Sequence, residues 1–248
     1  MQNVEKMKGN EGSEKTPPKK IQVEEFNPKI LNDTFFRMTL LGASYSGKSE
    51  FIKRIYPYIV KKYSYVVVFT PEFNGEFYDG FVKDVVSSES GKIVTKVMKF
   101  FTSNFGEAVT TIETIRDSNS GCEETVLVIM DDMISNKASK NDDFMRLFAS
   151  CRHSNISLIY CVQFFTHEYS NNSMRANSNV LVTTRPSTIT SKKWVMKNLI
   201  EEAVCRILWN SDEKKVKKMG ELLFAKIFEK KYDKLVVYNG TMYKCSEN

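Results

Sequence analysis

Gly42-Ala43-Ser44-Tyr45-Ser46-Gly47-Lys48-Ser49 reads as a glycine, four residues, then Gly-Lys-Ser. Each position has a chemical reason. Glycines at 42 and 47 let the backbone wrap a phosphate closely, with its N–H groups turned inward. Lys48 is set to reach the β- and γ-phosphates of a nucleotide as a point charge, and the Ser49 hydroxyl to ligate Mg²⁺. Ala43, Ser44, Tyr45 and Ser46 complete the predicted phosphate-binding loop. An ordinary glycine turn would not require Lys48-Ser49 at this spacing.

The flanks fit the loop. Phe36 to Leu41 is a short apolar run, read as a strand, and Ser49 to Tyr56 carries apolar residues at helical spacing. Strand, glycine loop and helix in that order place a helix N-terminus, with its positive dipole end, under the phosphates. Pro57 is expected to kink this helix or to end it at Tyr56.

A nucleotide-hydrolysing site also needs a carboxylate at the end of a buried strand. Thr125-Val126-Leu127-Val128-Ile129-Met130 is a continuous apolar run, suited to a central parallel strand covered on both faces. It ends in Asp131-Asp132. Asp131 is placed to hold Mg²⁺ and Asp132 to polarise an attacking water. Strand ends often carry Asp as a turn residue, so the pair gains its weight from the phosphate loop upstream. A guanine-reading Asn-Lys-x-Asp is missing: Asn136-Lys137-Ala138-Ser139 lacks the acid, and no Asp-x-x-Gly occurs. GTPases are therefore disfavoured. A nucleoside or nucleotide kinase stays open, although no arginine-rich lid cluster is visible.

Beyond the aspartates, Phe144 to Ala149 suggests a helix leading to Arg152-His153. Ile156 to Val162 reads as a buried strand ending in Gln163, whose amide can sense a γ-phosphate if the strand lies beside that of the phosphate loop. Ser173-Met174-Arg175-Ala176-Asn177 and a further strand, Val180 to Thr183, follow.

This series resembles the genome-packaging ATPases of large DNA viruses, of poxvirus, virophage and polinton-like type, within the FtsK/HerA superfamily of ring-forming DNA pumps. The resemblance covers roughly residues 35 to 185. The phosphate loop is shared by many families; Arg152-His153, Gln163 and Arg175-Ala176-Asn177 are more specific. Many superfamily members carry Asp-Glu where this chain has Asp131-Asp132. The resemblance implies an α/β, RecA/FtsK-like additional-strand fold with a mostly parallel sheet, and ATP and Mg²⁺ as cofactors. It implies a γ-phosphate sensor at Gln163 and an arginine finger at Arg152 or Arg175 acting on a neighbouring subunit. A finger is chemically reasonable because negative charge builds on the phosphoryl group in flight. The implied partners are double-stranded DNA, further copies of the chain in a homo-oligomeric ring, and a viral capsid or vertex protein. The implied location is an assembly site in the infected host, or the virion. A kinase and a non-motor ATP-binding scaffold are the competing readings.

Composition bounds the rest. The chain has 248 residues, 42% of them hydrophobic, enough for one large core. Its five cysteines form no Cys-x-x-Cys pair, and with two histidines no zinc constellation can be assembled. The scattered set reads as reduced thiols of an intracellular protein, with Cys161 in the core. No signal peptide and no apolar run long enough to span a membrane is read. Residues 1–25 are polar and are expected to form a flexible tail ahead of a single domain over 26–248. Residues 76–117 read as mostly helical, from the spacing of Val94, Val97, Met98 and Phe101. Residues 190–234 hold twelve Lys or Arg against seven Asp or Glu. A helix starting near Asp212 would bury Val216, Met219, Leu223 and Ile227 and expose Lys214, Lys215, Lys217 and Lys218. Those lysines either track a DNA backbone or merely solvate the helix. Asn239-Gly240, between two β-prone runs, predicts a terminal hairpin at the sheet edge.

Overall fold

The computed structural model describes residues 23–86, 93–119, 123–133, 141–163, 172–208 and 211–246. The leader before residue 23, Asn136 to Ser139, Cys122 and His167 lie outside them. The first half comprises β1 (Glu24–Glu25), β2 (Arg37–Leu41), α1 (Lys48–Ile59), β3 (Tyr65–Thr70), α2 (Gly75–Phe81), β4 (Val85–Val86), β5 (Ile93–Phe101) and α3 (Phe105–Ser118). Then come β6 (Val126–Met130), α4 (Asp142–Ser150), β7 (Ile156–Val162), α5 (Asn172–Asn177) and β8 (Val180–Thr184). The carboxy-terminal part holds α6 (Ile189–Val195), a π-helical turn (Met196–Glu201), α7 (Glu202–Ile207), α8 (Glu213–Ile227), β9 (Lys234–Tyr238) and β10 (Thr241–Cys245).

Among the described residues the strands form one sheet in the order β1-β10-β9-β8-β2-β7-β6-β3-β5-β4. From β8 to β5 every neighbouring pair is parallel. This is the α/β phosphate-loop fold, with its mostly parallel sheet and carboxy-terminal hairpin. The chain leaves β2 through α1 and re-enters at β3, and β7 and β6 fill the gap between them. The ends of β2, β7 and β6 therefore open onto one crevice at the carboxyl side of the sheet, where α/β proteins bind ligands.

Side chains alternate across each central strand, and both faces are covered. On β3, Val66 and Val68 join Leu40 and Ile129 in a layer beneath Phe51, Ile52, Ile55 and Ile59 of α1. Val67 and Phe69 face the opposite layer with Val128 and Leu158, against Ile112, Phe144, Phe148, Leu223 and Ile227 of α3, α4 and α8. Each such fully buried aliphatic or aromatic side chain contributes about 1.5–3 kcal/mol.

Four expectations need correction. Residues 93–101, read as helix, form β5, and Lys96 to Phe101 pair in parallel with Tyr65 to Thr70. The apolar spacing there fitted a helix only locally. Pairing with β3 and the Thr95 hydroxyl donating to the Tyr63 carbonyl at 2.7 Å favour the strand. Of the two outcomes expected of Pro57, the stop at Tyr56 does not occur, because α1 runs to Ile59. Proline removes a single bond there, in the last turn, and Pro57 and Lys53 are both exposed, so water can solvate the freed Lys53 carbonyl. The hairpin turns at Asn239 (φ 47°) and Gly240 (φ 83°), as a two-residue primed turn demands. It is nevertheless not the border of the sheet, because β1 pairs with β10 in parallel. That short strand falls inside the predicted tail. Phe26 follows it into the core, with its ring centroid 6.2 Å from Phe51 and 6.1 Å from Tyr243, and this anchor orders the backbone before it.

α8 forms as expected. Asp212 caps it by accepting from the Lys215 backbone N–H at 2.7 Å, Val216, Leu223 and Ile227 are buried, and the four lysines are exposed. No helix of the described residues is long and apolar enough to cross a membrane.

Candidate active site

The phosphate loop is built by close approach. Gly42 donates its N–H to the Val162 carbonyl of β7 at 3.0 Å. A Cβ on Gly42 would lie 2.1 Å from Thr184 Oγ1 and 2.6 Å from Ser46 Oγ, so only glycine lets the loop pass between β7 and β8. Gly47 caps α1 at φ 84°, a left-handed conformation that glycine takes at no steric cost. Tyr45, at the loop tip, is fully exposed.

Lys48 is buried, and its Nζ donates to the Gly42 carbonyl at 2.8 Å and the Ala43 carbonyl at 3.0 Å. Its ammonium is held by its own loop. Ser49 Oγ donates to Asp131 Oδ2 at 2.6 Å, so the two predicted metal ligands are adjacent although 82 positions apart in sequence. Asp131 is buried at the end of β6. The next residue, Asp132, has φ 55°. This turn separates the two carboxylates, and Asp132 accepts from Gln163 Nε2. Gln163 Oε1 in turn accepts from Ser44 Oγ at 3.3 Å. Gln163 thus links the loop to Asp132, and its strand β7 directly flanks β2.

These groups line a cleft of 790 Å³ with Glu50, Phe73, Asn74 and Tyr232. Ser46 Oγ and Thr184 Oγ1 are buried beside the loop without a hydrogen-bond partner among the described residues. Orphaned hydroxyls at the loop, a lysine and a Ser/Asp pair fit a nucleotide phosphate chain with a divalent cation. Ser49 and Asp131 would hold the cation, and residues 42–49 the phosphates.

Tyr78 was not legible as part of the site. It lies on α2, is fully buried, and its hydroxyl donates to Asp131 Oδ2 at 2.7 Å. Burial, reinforced by the Asp131 charge, pushes its phenol well above the usual range, so it remains a donor throughout neutral pH. Tyr78 and Ser49 share one carboxylate oxygen, which fixes the Asp131 rotamer. Tyr78→Phe keeps the ring and deletes the bond. Hydrogen bonds to charged groups contribute about 1.5–3 kcal/mol. Thermal unfolding of the variant should show a loss of that order, and Mg²⁺ titration should require several-fold more metal. An unchanged melting temperature together with unchanged Mg²⁺ dependence would show that Tyr78 does not position Asp131.

The two arginines lie elsewhere. Arg152 sits in the turn Cys151–Ser154 before β7, and Arg175 on α5 before β8. Both are at the amino ends of strands whose carboxyl ends carry the cleft. A strand of five to seven residues spans about 17–23 Å. Neither arginine reaches the cleft of its own chain. Arg175 is engaged, donating to Asn198 Oδ1 at 3.0 Å and pairing with Glu202 at 3.6 Å. Arg152 is exposed, and among the described residues its guanidinium contacts His153 Nε2 at 3.4 Å.

Residues 23–239 match the family described as poxvirus A32 protein. The chain belongs to that family. Among its relatives, the DNA packaging protein OPG160 of variola virus is 32% identical over 154 residues, covering 59% of this chain and 52% of that protein. The chain thus spans about half the length of the curated relatives it matches. Among solved structures it resembles B204, the DNA-packaging ATPase from Sulfolobus turreted icosahedral virus. There the TM-score is 0.56 at 18% identity, over 86% of this chain and 98% of that one. The B204 of Sulfolobus turreted icosahedral virus 2, in complex with ATP-gammaS, gives 0.53 at 14% identity, over 89% and 98%. At these identities the likeness concerns the fold.

Proposed function

We propose that this A32-family chain is the ATP-hydrolysing subunit of a homo-oligomeric ring that drives double-stranded DNA into a viral capsid. The observation that carries the proposal is the Ser49–Asp131 pair beside the phosphate loop, with Gln163 bridging Ser44 and Asp132. A bound Mg²⁺ would supply neutralisation of charge on the β- and γ-phosphate oxygens.

The chain's own residues divide the remaining work. Lys48 exchanges the Gly42 and Ala43 carbonyls for phosphate oxygens. Asp132 orients and deprotonates water, and Gln163 reports the state of the γ-phosphate to that carboxylate. The placement of Arg152 and Arg175, a strand's length from their own cleft, supports a finger delivered to a neighbouring copy. The exposed lysines of α8 offer a surface that would neutralise DNA phosphates without reading sequence. A capsid or vertex protein is the proposed docking partner, and a viral assembly site the proposed location.

The test is ATP turnover with and without duplex DNA, run beside a mass measurement of the assembly. Turnover is expected to rise with DNA in an oligomer, and the Lys→Gln variant at 214, 215, 217 and 218 should flatten the salt dependence of DNA binding. Phosphate transfer to a nucleoside would favour the kinase, and binding without turnover a scaffold. An unchanged salt slope would assign the lysines to solvation alone.

A further inference from the structure

The amino end of the sheet carries a cationic cavity with no assigned role. Arg37, the first residue of β2, is 7% exposed, yet no carboxylate pairs with it among the described residues. One of its terminal nitrogens donates to the Ala149 carbonyl at 3.0 Å, and its Nε–H is buried without an acceptor. Burial and the nearby Arg152 charge both push this guanidinium below its ordinary value. A buried charge without a counter-charge is costly, so the site is incomplete as it stands.

Two clefts, of 480 and 570 Å³, meet at Arg37, Asn179 and Asn239. Arg175 and Arg206 line the first and Arg152 the second. Glu202 is the sole carboxylate in either lining, and it is shared between Arg206 at 2.7 Å and Arg175 at 3.6 Å. Asn179 Oδ1 accepts from the Arg37 backbone N–H at 2.7 Å, which orients the side chain and leaves its amide donors for a ligand. The two linings thus hold four guanidinium groups, at Arg37, Arg152, Arg175 and Arg206, against one carboxylate.

We infer that Arg37, Arg206 and the Asn179 amide form a second anion site, which takes a small phosphate oxyanion at the end of the sheet away from the phosphate loop. Three oxygens of a phosphate can accept from guanidinium forks arriving from several elements, whereas a carboxylate presents two. The burial of Arg37 admits a free phosphate or the terminal phosphate of a nucleotide and keeps out the broad backbone of a duplex. The site does not depend on the packaging reading.

The test is calorimetric titration of inorganic phosphate into the full chain carrying Lys48→Ala, which weakens the phosphate loop. One phosphate per chain is expected to bind. Arg206→Gln in that background should weaken it about tenfold or more, the worth of one charge-assisted hydrogen bond, and Arg206→Lys by less. Arg206 is exposed, so these variants should fold, whereas Arg37→Gln, expected to abolish binding, alters a buried position. Competition by ATP or ADP would name the nucleotide's terminal phosphate as the source, and phosphate binding unaffected by either nucleotide the free ion. No binding, equal binding in Arg206→Gln, or displacement by duplex DNA would overturn the proposal.

Discussion

Lys48→Ala is expected to reduce ATP turnover at least about a hundredfold while the chain stays folded. Preorganised cations and donors at developing charge are typically worth that much or more in rate, and Lys48 is the cation of the loop. Its structural role is separable. Lys48 Nζ satisfies the Gly42 and Ala43 carbonyls, at 2.8 and 3.0 Å, but the loop has other anchors: the Gly42 N–H on β7 and the Ser49–Asp131 bond. Circular dichroism and the melting temperature should therefore change little while hydrolysis is lost. Undiminished turnover by a folded Lys48→Ala protein would remove the phosphate-loop assignment.

The second large effect belongs to Arg152→Ala. An arginine finger contributes about 10³–10⁵ in turnover. Arg152 is the better placed of the two candidates, because it is exposed whereas Arg175 is held by Asn198 and Glu202. Since Arg152 lies a strand's length from its own cleft, the loss should be repaired in trans. Mixing Arg152→Ala with Lys48→Ala subunits should restore part of the activity, because some interfaces then join an intact cleft to an intact finger. Wild-type turnover should also climb faster than linearly with concentration near the assembly threshold. Full activity in a proven monomer, with no rescue in the mixture, would eliminate the shared site.

Much of this site was legible because its parts are local in sequence. Residues 42–49 form one turn, and Asp131 and Gln163 each follow directly on an apolar strand. Strand and ligand are thus read together. Tyr78 was hidden for the opposite reason. It sits 53 positions from Asp131, on a helix whose pattern says only that an aromatic is buried. The cluster at Arg37 escaped likewise, since β2, α5 and α7 meet only in three dimensions. β5 was misread because its apolar spacing suits a helix over a few residues, and only pairing with β3 decides the matter. Pro57 misled because its cost depends on how much helix follows and on whether the freed carbonyl meets water.

The left-handed backbone at Asp132 bears on which substitutions the position admits. At φ 55° a side chain crowds its own backbone, and asparagine and aspartate tolerate this region far better than longer residues. Glutamate at this position would gain reach but lose conformational fit. The dihedral angle favours glycine, asparagine and aspartate over longer side chains, and the proposed role of a carboxylate there then favours aspartate. Exchange for glutamate would add conformational cost at this turn, so the two acids are not equivalent here.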